Sequence, residues 1–313
     1  MNDVLDAAAT AACLPWPALT QELAAVLRDP SVQAPTRMVQ ALPAGGTLFL
    51  MPAFDETLAI TKLITYTPGN IGTSRPTIQG DVVVLDGTTG QRVRVLDGPT
   101  VTARRTAAVS LLAAQHLVPQ LRGPLLIVGA GVQGQSHLEA FAACWDLQEV
   151  WICSRSQHSA QRLATLARSL GLTARVVTDA NAAMARCPLV VTCTPATEVV
   201  LRVPPRDDSF VAAVGAFTPR MQEIGPALCR HFAELGTVAV DTSDATHEAG
   251  DLLQAGLNVG AFPTLGDVVR GTVAPAQGPV LFKSCGWAGW DLAAARCAVR
   301  LASGPDSAPS VTA

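Results

Sequence analysis

The glycines of segment 124–134, which reads P-L-L-I-V-G-A-G-V-Q-G, have the spacing of a dinucleotide-binding turn. The apolar residues before Gly129 predict a strand, and the Ala-rich residues after Gly134 predict a helix. In this pattern Gly129 makes the turn, Gly131 lets the backbone approach a pyrophosphate, and Gly134 lets the helix pack closely on the strand. The predicted phosphate-binding residues at this helix N-terminus are Gly129, Gly131, Val132, Gln133 and Gly134.

The end of the next predicted strand indicates which dinucleotide binds. An NAD enzyme presents an Asp or Glu to the ribose there, whereas an NADP enzyme has a small polar residue and an Arg for the 2′-phosphate. The sequence at this point is Ser154-Arg155-Ser156, so we expect NADPH to be the preferred cofactor and NADH to bind more weakly. Ligands of such folds lie beyond the carboxyl ends of the strands, so Thr194, Val214 and Gly215 are also expected to contact the cofactor.

Cations in the first third of the chain are candidates for binding a carboxylate. A planar guanidinium binds a carboxylate through two parallel hydrogen bonds, and an ammonium adds a compact charge. Only Lys62 and Lys283 among the 22 basic residues are lysines, which favours a specific reason for each. The histidines are scattered without metal-ligand spacing, so no metal ion is expected. The candidate cations are Arg37, Lys62, Arg75, Arg104 and Arg105.

The composition predicts a cytoplasmic protein that forms oligomers. Of the 313 residues, 15% are charged and 49% are hydrophobic, which favours an oligomer that buries part of its surface. A net charge of −3 provides no basic excess for nucleic acid or for an anionic membrane. Eight cysteines without a C-x-x-C pair are typical of reduced thiols, and no apolar run is long enough to cross a bilayer.

Two patterns predict the elements that would position these residues. In the first third, short strand-like runs separated by Pro, Gly and Asn indicate an antiparallel sheet with hairpins, preceded by a helix over 18–28 that Thr20 would cap. From 125 onward strands alternate with helices, which is typical of an open, doubly wound parallel sheet of the α/β class. The polar tail 303–313 is expected to be disordered.

A series of short motifs runs through nearly the whole chain. The motifs are P-T-R at 35–37, T-K-L-I-T-Y-T-P-G-N at 61–70, D-G-T-T-G at 86–90, V-T-A-R-R-T-A-A at 101–108, I-V-G-A-G-V-Q-G at 127–134, V-G-A-F-T-P at 214–219 with Glu223, G-D-L at 250–252, and L-F-K-S-C-G at 281–286. In content and order they resemble the ornithine cyclodeaminase/mu-crystallin family. The resemblance implies a homodimer in which a Rossmann-type domain, 120–277, is inserted in an α+β substrate-binding and dimerisation domain, 1–119 and 278–313.

The resemblance also implies roles for individual residues. In the family an Arg, a Lys and a second Arg bind the substrate carboxylate, and their motifs fall on Arg37, Lys62 and Arg105, of which Lys62 is expected to be catalytic. Cyclodeaminases of the family carry a catalytic Asp and a second acid that binds a distal amine. The corresponding residues here are Phe217 and Phe49, and apolar side chains at both positions favour a cyclic imine as substrate.

Members with an Arg in place of the acid typical of NAD enzymes resemble NADPH-dependent ketimine reductases. The expected function is therefore the reduction of Δ1-pyrroline-2-carboxylate and Δ1-piperideine-2-carboxylate to L-proline and L-pipecolate, with the bound carboxylate orienting C2 of the ring. Three alternatives stay open. They are an NAD-dependent ornithine cyclodeaminase, a dehydrogenase of open-chain amino acids, and a non-enzymatic crystallin-like protein that binds NADPH and a small ligand.

Overall fold

A computed structural model describes residues 4–195 and 198–303, so the tail predicted to be disordered lies, apart from Ser303, outside the described residues. The described α-helices are α1 (Ala7–Ala12), α2 (Trp16–Arg28), α3 (Gly98–Leu117), α4 (Val132–Cys144), α5 (Gln157–Ser169), α6 (Ala180–Met184), α7 (Pro226–Leu235), α8 (Ala245–Glu248), α9 (Gly250–Gln254), α10 (Leu265–Arg270) and α11 (Ala288–Ser303), with 3-10 turns at Pro68–Asn70 and Val259–Ala261. The described strands are β1 (Met38–Ala41), β2 (Thr47–Phe54), β3 (Leu58–Tyr66), β4 (Ile78–Asp86), β5 (Arg92–Asp97), β6 (Leu125–Val128), β7 (Glu149–Cys153), β8 (Thr173–Val177), β9 (Leu189–Thr192), β10 (Phe210–Ala213), β11 (Thr237–Val240) and β12 (Val280–Lys283).

The described chain packs as two compact units. Unit 1 consists of the residues up to Arg105 and those from Trp287 onward, and unit 2 consists of Thr106–Gly286. Unit 2 is thus inserted in the sequence of unit 1, and the first boundary falls within helix α3. Within these ranges no helix is both long enough and apolar enough to cross a bilayer.

A parallel sheet forms the centre of unit 2. Among the described residues it has seven strands in the order β11-β12-β10-β9-β6-β7-β8, and every neighbouring pair is parallel. From β6 the chain proceeds to β7 and β8 on one side, and it then returns to β9 on the other side. The topological switch point therefore lies between β6 and β9, which confirms the predicted Rossmann-type doubly wound fold.

The position of strand β12 differs from part of the predicted domain division. The sequence-based boundary at 277/278 assigned Val280–Lys283 to the substrate domain. In the structure β12 lies between β10 and β11 and pairs with both in parallel. The error has a topological reason, because β12 enters the sheet between two strands that precede it in the chain. The other predicted boundary, 119/120, and the dimerisation role of the outer domain stay predictions.

An antiparallel sheet and two long helices form unit 1. Over the described residues this sheet has five strands in the order β1-β2-β3-β4-β5, and helix α11 packs against α2, β2 and β3. On β3 the residues Leu58, Ile60, Lys62 and Ile64 are buried, whereas those between them are more exposed. This period of two gives the sheet one buried face and one open face.

Helix α2 begins two residues earlier than predicted. Its N-cap residue is Pro15, without a side-chain hydrogen bond, so the prediction that Thr20 caps the helix is wrong. The Thr20 hydroxyl instead donates a hydrogen bond of 2.8 Å to the carbonyl of Trp16 within the helix. A proline near the first turn starts this helix, because its missing N–H would have no partner there.

Candidate active site

Cations of unit 1 meet at one carboxylate. Lys62 is buried at the centre of β3, and its Nζ lies 3.0 Å from Oδ1 and 2.8 Å from Oδ2 of Asp291 on α11. Nε of Arg105 lies 3.4 Å from Oδ1 of the same carboxylate. Arg37 precedes β1, and its positive charge acts on Lys62. The structure thus brings Lys62 and Arg105 together through an acid to which the sequence analysis assigned no role.

The charges of this cluster do not balance. Burial lowers the pKa of Lys62 to about 8; the charge of Asp291 opposes the decrease, while those of Arg105 and Arg37 add to it. Nε of Arg105 is buried and has no hydrogen-bond acceptor among the described residues. An excess of positive charge and an unsatisfied donor favour the binding of a further carboxylate.

The part of β2 next to Lys62 is apolar. Met51 pairs directly with Lys62, and Phe49 pairs with Ile64, two residues further along β3. Because alternate residues share one face of a strand, Phe49 and Met51 lie on the same face as Lys62. A half-buried phenyl ring therefore lies on this face where the resemblance would place the acid of a cyclodeaminase.

The glycine turn of unit 2 has the backbone geometry that the motif predicts. Gly129 has a φ of 113°, which side chains rarely allow. A Cβ at Gly134 would lie 2.1 Å from the carbonyl oxygen of Gly129, so helix α4 packs directly on the turn. A Cβ at Gly131 would meet no atom within 4 Å. The packing at Gly134 and the open surroundings of Gly131 fit a phosphate-binding turn.

The N-terminus of helix α4 is the anion-binding end of this turn. The helix begins at Val132, and its N-cap residue is Gly131, which has no side chain to cap the first turn. The N–H groups of the first turn and the positive end of the helix dipole therefore favour a phosphate. Val132 is 70% exposed and Gln133 is half-buried. The residues present thus fit a dinucleotide.

The other predicted cofactor residues follow neighbouring strands at the same sheet edge. Strands β10, β9, β6 and β7 are adjacent and parallel, so their carboxyl ends meet at one edge. Thr194 follows β9, Val214 and Gly215 follow β10, and Gly129 follows β6. The N–H of Val214 donates to the carbonyl of Thr192, which continues the ladder beyond the strands.

The triplet Ser154-Arg155-Ser156 follows β7 at this edge. The Oγ of Ser156 accepts a hydrogen bond of 3.2 Å from the N–H of Ser159 and caps helix α5. The Oγ of Ser154 accepts one of 3.3 Å from the N–H of Ser156. The side chain of Arg155 is 73% exposed, and its Nη1 lies 3.8 Å from Oε1 of Glu198. Such an exposed ion pair is weak, so the guanidinium can exchange it for a phosphate.

A buried acid fixes two of these strand ends. Oε1 of Glu223 accepts hydrogen bonds from the N–H (2.7 Å) and the hydroxyl (2.8 Å) of Thr194. Oε2 accepts from the N–H of Gly215 (2.7 Å) and the hydroxyl of Thr192 (2.9 Å). Burial raises the pKa of Glu223, and the charge of Lys283 opposes this change. Glu223 therefore positions the backbone beyond β9 and β10.

Lys283 completes this buried network. Its Nζ lies 2.9 Å from Oδ2 of Asp251, whose Oδ1 accepts from the N–H groups of Glu223 (2.6 Å) and Ile224 (2.8 Å). Although burial lowers the pKa of Lys283, the charges of Asp251 and Glu223 raise it by more. Lys283 is thus a permanently charged structural residue. Its rarity in the sequence and the G-D-L motif were the signals for this network.

His137 is buried in α4, its Nδ1 lies 2.7 Å from the carbonyl oxygen of Gln133 and its Nε2 lies 3.0 Å from Oγ of Ser110, and burial lowers its pKa to about 4. It is therefore a neutral structural histidine. In the described parts of the chain, no group of three or more His, Cys, Asp or Glu side chains could bind a metal ion.

Comparison with known proteins agrees with this geometry. The sequence profile of the ornithine cyclodeaminase/mu-crystallin family matches residues 11–303. The chain belongs to this family. It is 40% identical over 303 residues to Δ1-pyrroline-2-carboxylate reductase 1 of Burkholderia multivorans, and the match covers 94% of each chain. It is 39% identical over 298 residues to the Δ1-pyrroline-2-carboxylate/Δ1-piperideine-2-carboxylate reductase of Azospirillum brasilense, again covering 94% of both.

A solved structure shares the whole fold. The Δ1-pyrroline-2-carboxylate reductase of Thermococcus litoralis, in complex with NADH and L-proline, superposes with a TM-score of 0.87 over 95% of this chain and 96% of that one, at 20% identity. The family assignment and the fold are thus confirmed. The functions of the individual site residues stay predictions.

Two alanine substitutions separate cofactor binding from packing at the turn. Gly131→Ala should leave the thermal midpoint unchanged but weaken NADPH binding about tenfold, because a Cβ would separate a phosphate from the backbone N–H groups. Gly134→Ala should lower the unfolding free energy by about 1–3 kcal/mol, because its Cβ meets a backbone carbonyl. Thermal unfolding measures the stability of each variant, and fluorescence titration measures its affinity for NADPH. Wild-type affinity in Gly131→Ala would contradict the assignment of this turn.

Proposed function

We propose that this protein is an NADPH-dependent reductase of cyclic ketimines, which converts Δ1-pyrroline-2-carboxylate to L-proline and Δ1-piperideine-2-carboxylate to L-pipecolate. The observation that carries the proposal is the buried cluster of Lys62, Arg105 and Asp291, whose excess positive charge suits a small carboxylate. The two relatives with about 40% identity are both named Δ1-pyrroline-2-carboxylate reductases, and the name of the one from Azospirillum brasilense also includes Δ1-piperideine-2-carboxylate.

Reduction of the ring C=N bond needs a hydride at C2 and a proton at the nitrogen. The reduced nicotinamide supplies the hydride when it is bound. The guanidinium of Arg105 and the ammonium of Lys62 bind the carboxylate attached to C2 and thereby restrict the orientation of the ring. Arg37 adds a third positive charge. Phe49, on the same face as Lys62, reduces the access of water, which would otherwise hydrolyse the imine to an open-chain amino ketone.

Substrate profiling of the purified protein tests this function. NADPH should be oxidised with both the five-membered and the six-membered cyclic imine, and L-ornithine with NAD should yield no proline. A phenyl ring at Phe217 cannot transfer the protons that deamination requires. Ammonia release from L-ornithine at a rate comparable to imine reduction would restore the cyclodeaminase. Faster turnover of 2-oxo acids with ammonia or methylamine would indicate an open-chain dehydrogenase, and NADPH binding without any turnover would indicate the non-enzymatic alternative.

We also propose that NADPH is preferred over NADH. The support is local: beyond β7 the chain has the exposed Arg155 between two serines, where an NAD enzyme needs an acid. The related structure from Thermococcus litoralis holds NADH, so the shared fold alone does not determine the preference.

Arg155→Ala tests the cofactor preference. Loss of a charge-assisted contact to the 2′-phosphate costs about 1.5–3 kcal/mol, so Kd for NADPH should rise about 10- to 150-fold while Kd for NADH stays constant. Arg206→Ala is the matched control, because Arg206 is also an exposed arginine of unit 2 that is paired with an acid. An equal loss of affinity for both cofactors would show that Arg155 does not bind the 2′-phosphate.

We further propose that the protein is a homodimer that associates through the open face of the unit 1 sheet. Met38, Leu50 and Leu63 are neighbours across β1, β2 and β3, and Phe54 lies on the same face. Met38, Phe54 and Leu63 are 59%, 42% and 45% exposed. Such a contiguous apolar patch is unusual on a monomer. A second copy of this chain offers the same flat apolar surface and needs no other partner.

Leu63→Asp should convert the dimer to a monomer, because it places a charge at the centre of the proposed interface. Leu235→Asp serves as the control, since Leu235 is 65% exposed at the end of α7 in unit 2. Light scattering coupled to size exclusion measures both masses. A monomeric wild type, or dissociation by both substitutions alike, would refute this interface.

We further propose that the enzyme is cytoplasmic. Its support is that all eight cysteines are free thiols, which is typical of a reducing compartment.

A further inference from the structure

Asp291 lies in an unusual environment for a carboxylate. It is the only acid in the sequence of α11, which reads A-G-W-D-L-A-A-A-R-C-A-V-R-L-A-S, and its side chain is fully buried. Both carboxylate oxygens lie within 3.0 Å of Nζ of Lys62, and Oδ1 also faces Nε of Arg105. A buried carboxylate is costly unless its partners compensate it, so its position requires a physical reason.

A purely structural role explains this acid poorly. Unit 1 contains a structural cluster for comparison, in which Nε of Arg296 donates to Asp55 at 2.6 Å and Nη2 donates to Asp29 at 2.5 Å. In that cluster both acids accept further hydrogen bonds from Ser31 and Thr57. In the Asp291 cluster, by contrast, the buried Nε of Arg105 lies 3.4 Å from Oδ1 of Asp291 and has no hydrogen-bond acceptor among the described residues. A cluster that serves only stability would not leave a buried guanidinium N–H without an acceptor.

We propose that Asp291 is the positioning residue of the carboxylate site, which holds the Lys62 ammonium and the Arg105 guanidinium in the arrangement and charge state that bind the substrate carboxylate. Asp291 acts through these two cations and does not itself contact the substrate. The inference rests on the proposed function, since it concerns the same site. It adds the residue that links the two predicted cations.

The charge state of Lys62 gives this proposal a measurable consequence. Lys62 faces Asp291 from α11, Arg105 from α3 and Arg37 from the segment before β1, whereas β2 and β4 present the apolar Met51 and Val82. Its pKa lies at about 8, so the binding form, which is protonated, is present below this pH and is lost as the pH rises through it. Asp291 stabilises the protonated form, so its removal must move this loss to lower pH.

The experiment compares the pH dependence of kcat/KM for Δ1-pyrroline-2-carboxylate in the wild type and in Asp291→Asn, which keeps the shape and removes the charge. At pH 7.5 KM should rise about tenfold or more with a smaller change in kcat, and part of the loss should be recovered at lower pH. Asp291→Glu should restore the wild-type pH dependence in part. Ionisation of the imine is common to all variants, so differences between them report the enzyme. Asp29→Asn is the control, because Asp29 belongs to the structural cluster of the same unit.

A loss of activity in Asp291→Asn that is equal at every pH would show a structural role and overturn the proposal. If Asp291→Asn does not fold, Lys62→Arg decides, since an arginine stays charged. The decline of kcat/KM that the wild type shows near pH 8 should disappear in that variant, and its persistence would overturn the proposal.

If the wild type reduces no cyclic imine, calorimetry with pyrrole-2-carboxylate separates this inference from the proposed function. Binding that weakens above pH 8 and depends on Asp291 would support the inference while the proposed function fails, and pH-independent binding would reject both.

Discussion

A buried ammonium needs an anion beside it, and each unit of this protein meets the requirement with one aspartate. The chain contains two lysines, and at most 1% of either side chain is exposed. Lys62 lies against Asp291 in unit 1, and Lys283 lies against Asp251 in unit 2. The surroundings of the two pairs differ. Burial lowers the pKa of both lysines. For Lys283 the charges of Asp251 and Glu223 help to outweigh this effect, whereas for Lys62 the charges of Arg105 and Arg37 add to it. The positive charge of Lys283 is therefore neutralised by the acids of unit 2. The cluster around Lys62 retains an excess of positive charge that an anionic substrate can neutralise.

The Lys283–Asp251 pair supports the edge of the unit 2 sheet at which the predicted dinucleotide-binding residues lie. Asp251 connects Lys283 to the backbone at Glu223, and Glu223 in turn accepts hydrogen bonds from residues beyond β9 and β10. Strand ends in a parallel sheet have no further ladder partners, so without such acceptors their N–H groups would point into the site unpaired. This buried charged network thus gives the edge of the sheet a defined surface toward its ligand.

The features that depend only on neighbouring residues could be predicted from the sequence. The strand before the glycine motif, the turn itself and the helix after it were predicted as the structure has them, because tight turns and periodic apolar runs have characteristic local sequences. Strand β1 was missed because all four of its residues are exposed and show no alternation. Asp291 was missed because it lies 229 residues from Lys62, and no spacing rule joins residues so far apart. The place of β12 in the sheet likewise depends on tertiary pairing.

The late position of helix α11 in the chain has a consequence for biosynthesis. A ribosome releases the strands of unit 1 first, then all of unit 2, and α11 last. Until α11 emerges, the buried face of β3 has neither its apolar cover nor the counter-ion of Lys62. The sheet of unit 2 is itself incomplete until β12, which ends shortly before α11, has been synthesised. Both units are therefore completed by neighbouring segments late in the sequence, the parallel sheet by β12 and the carboxylate cluster by α11.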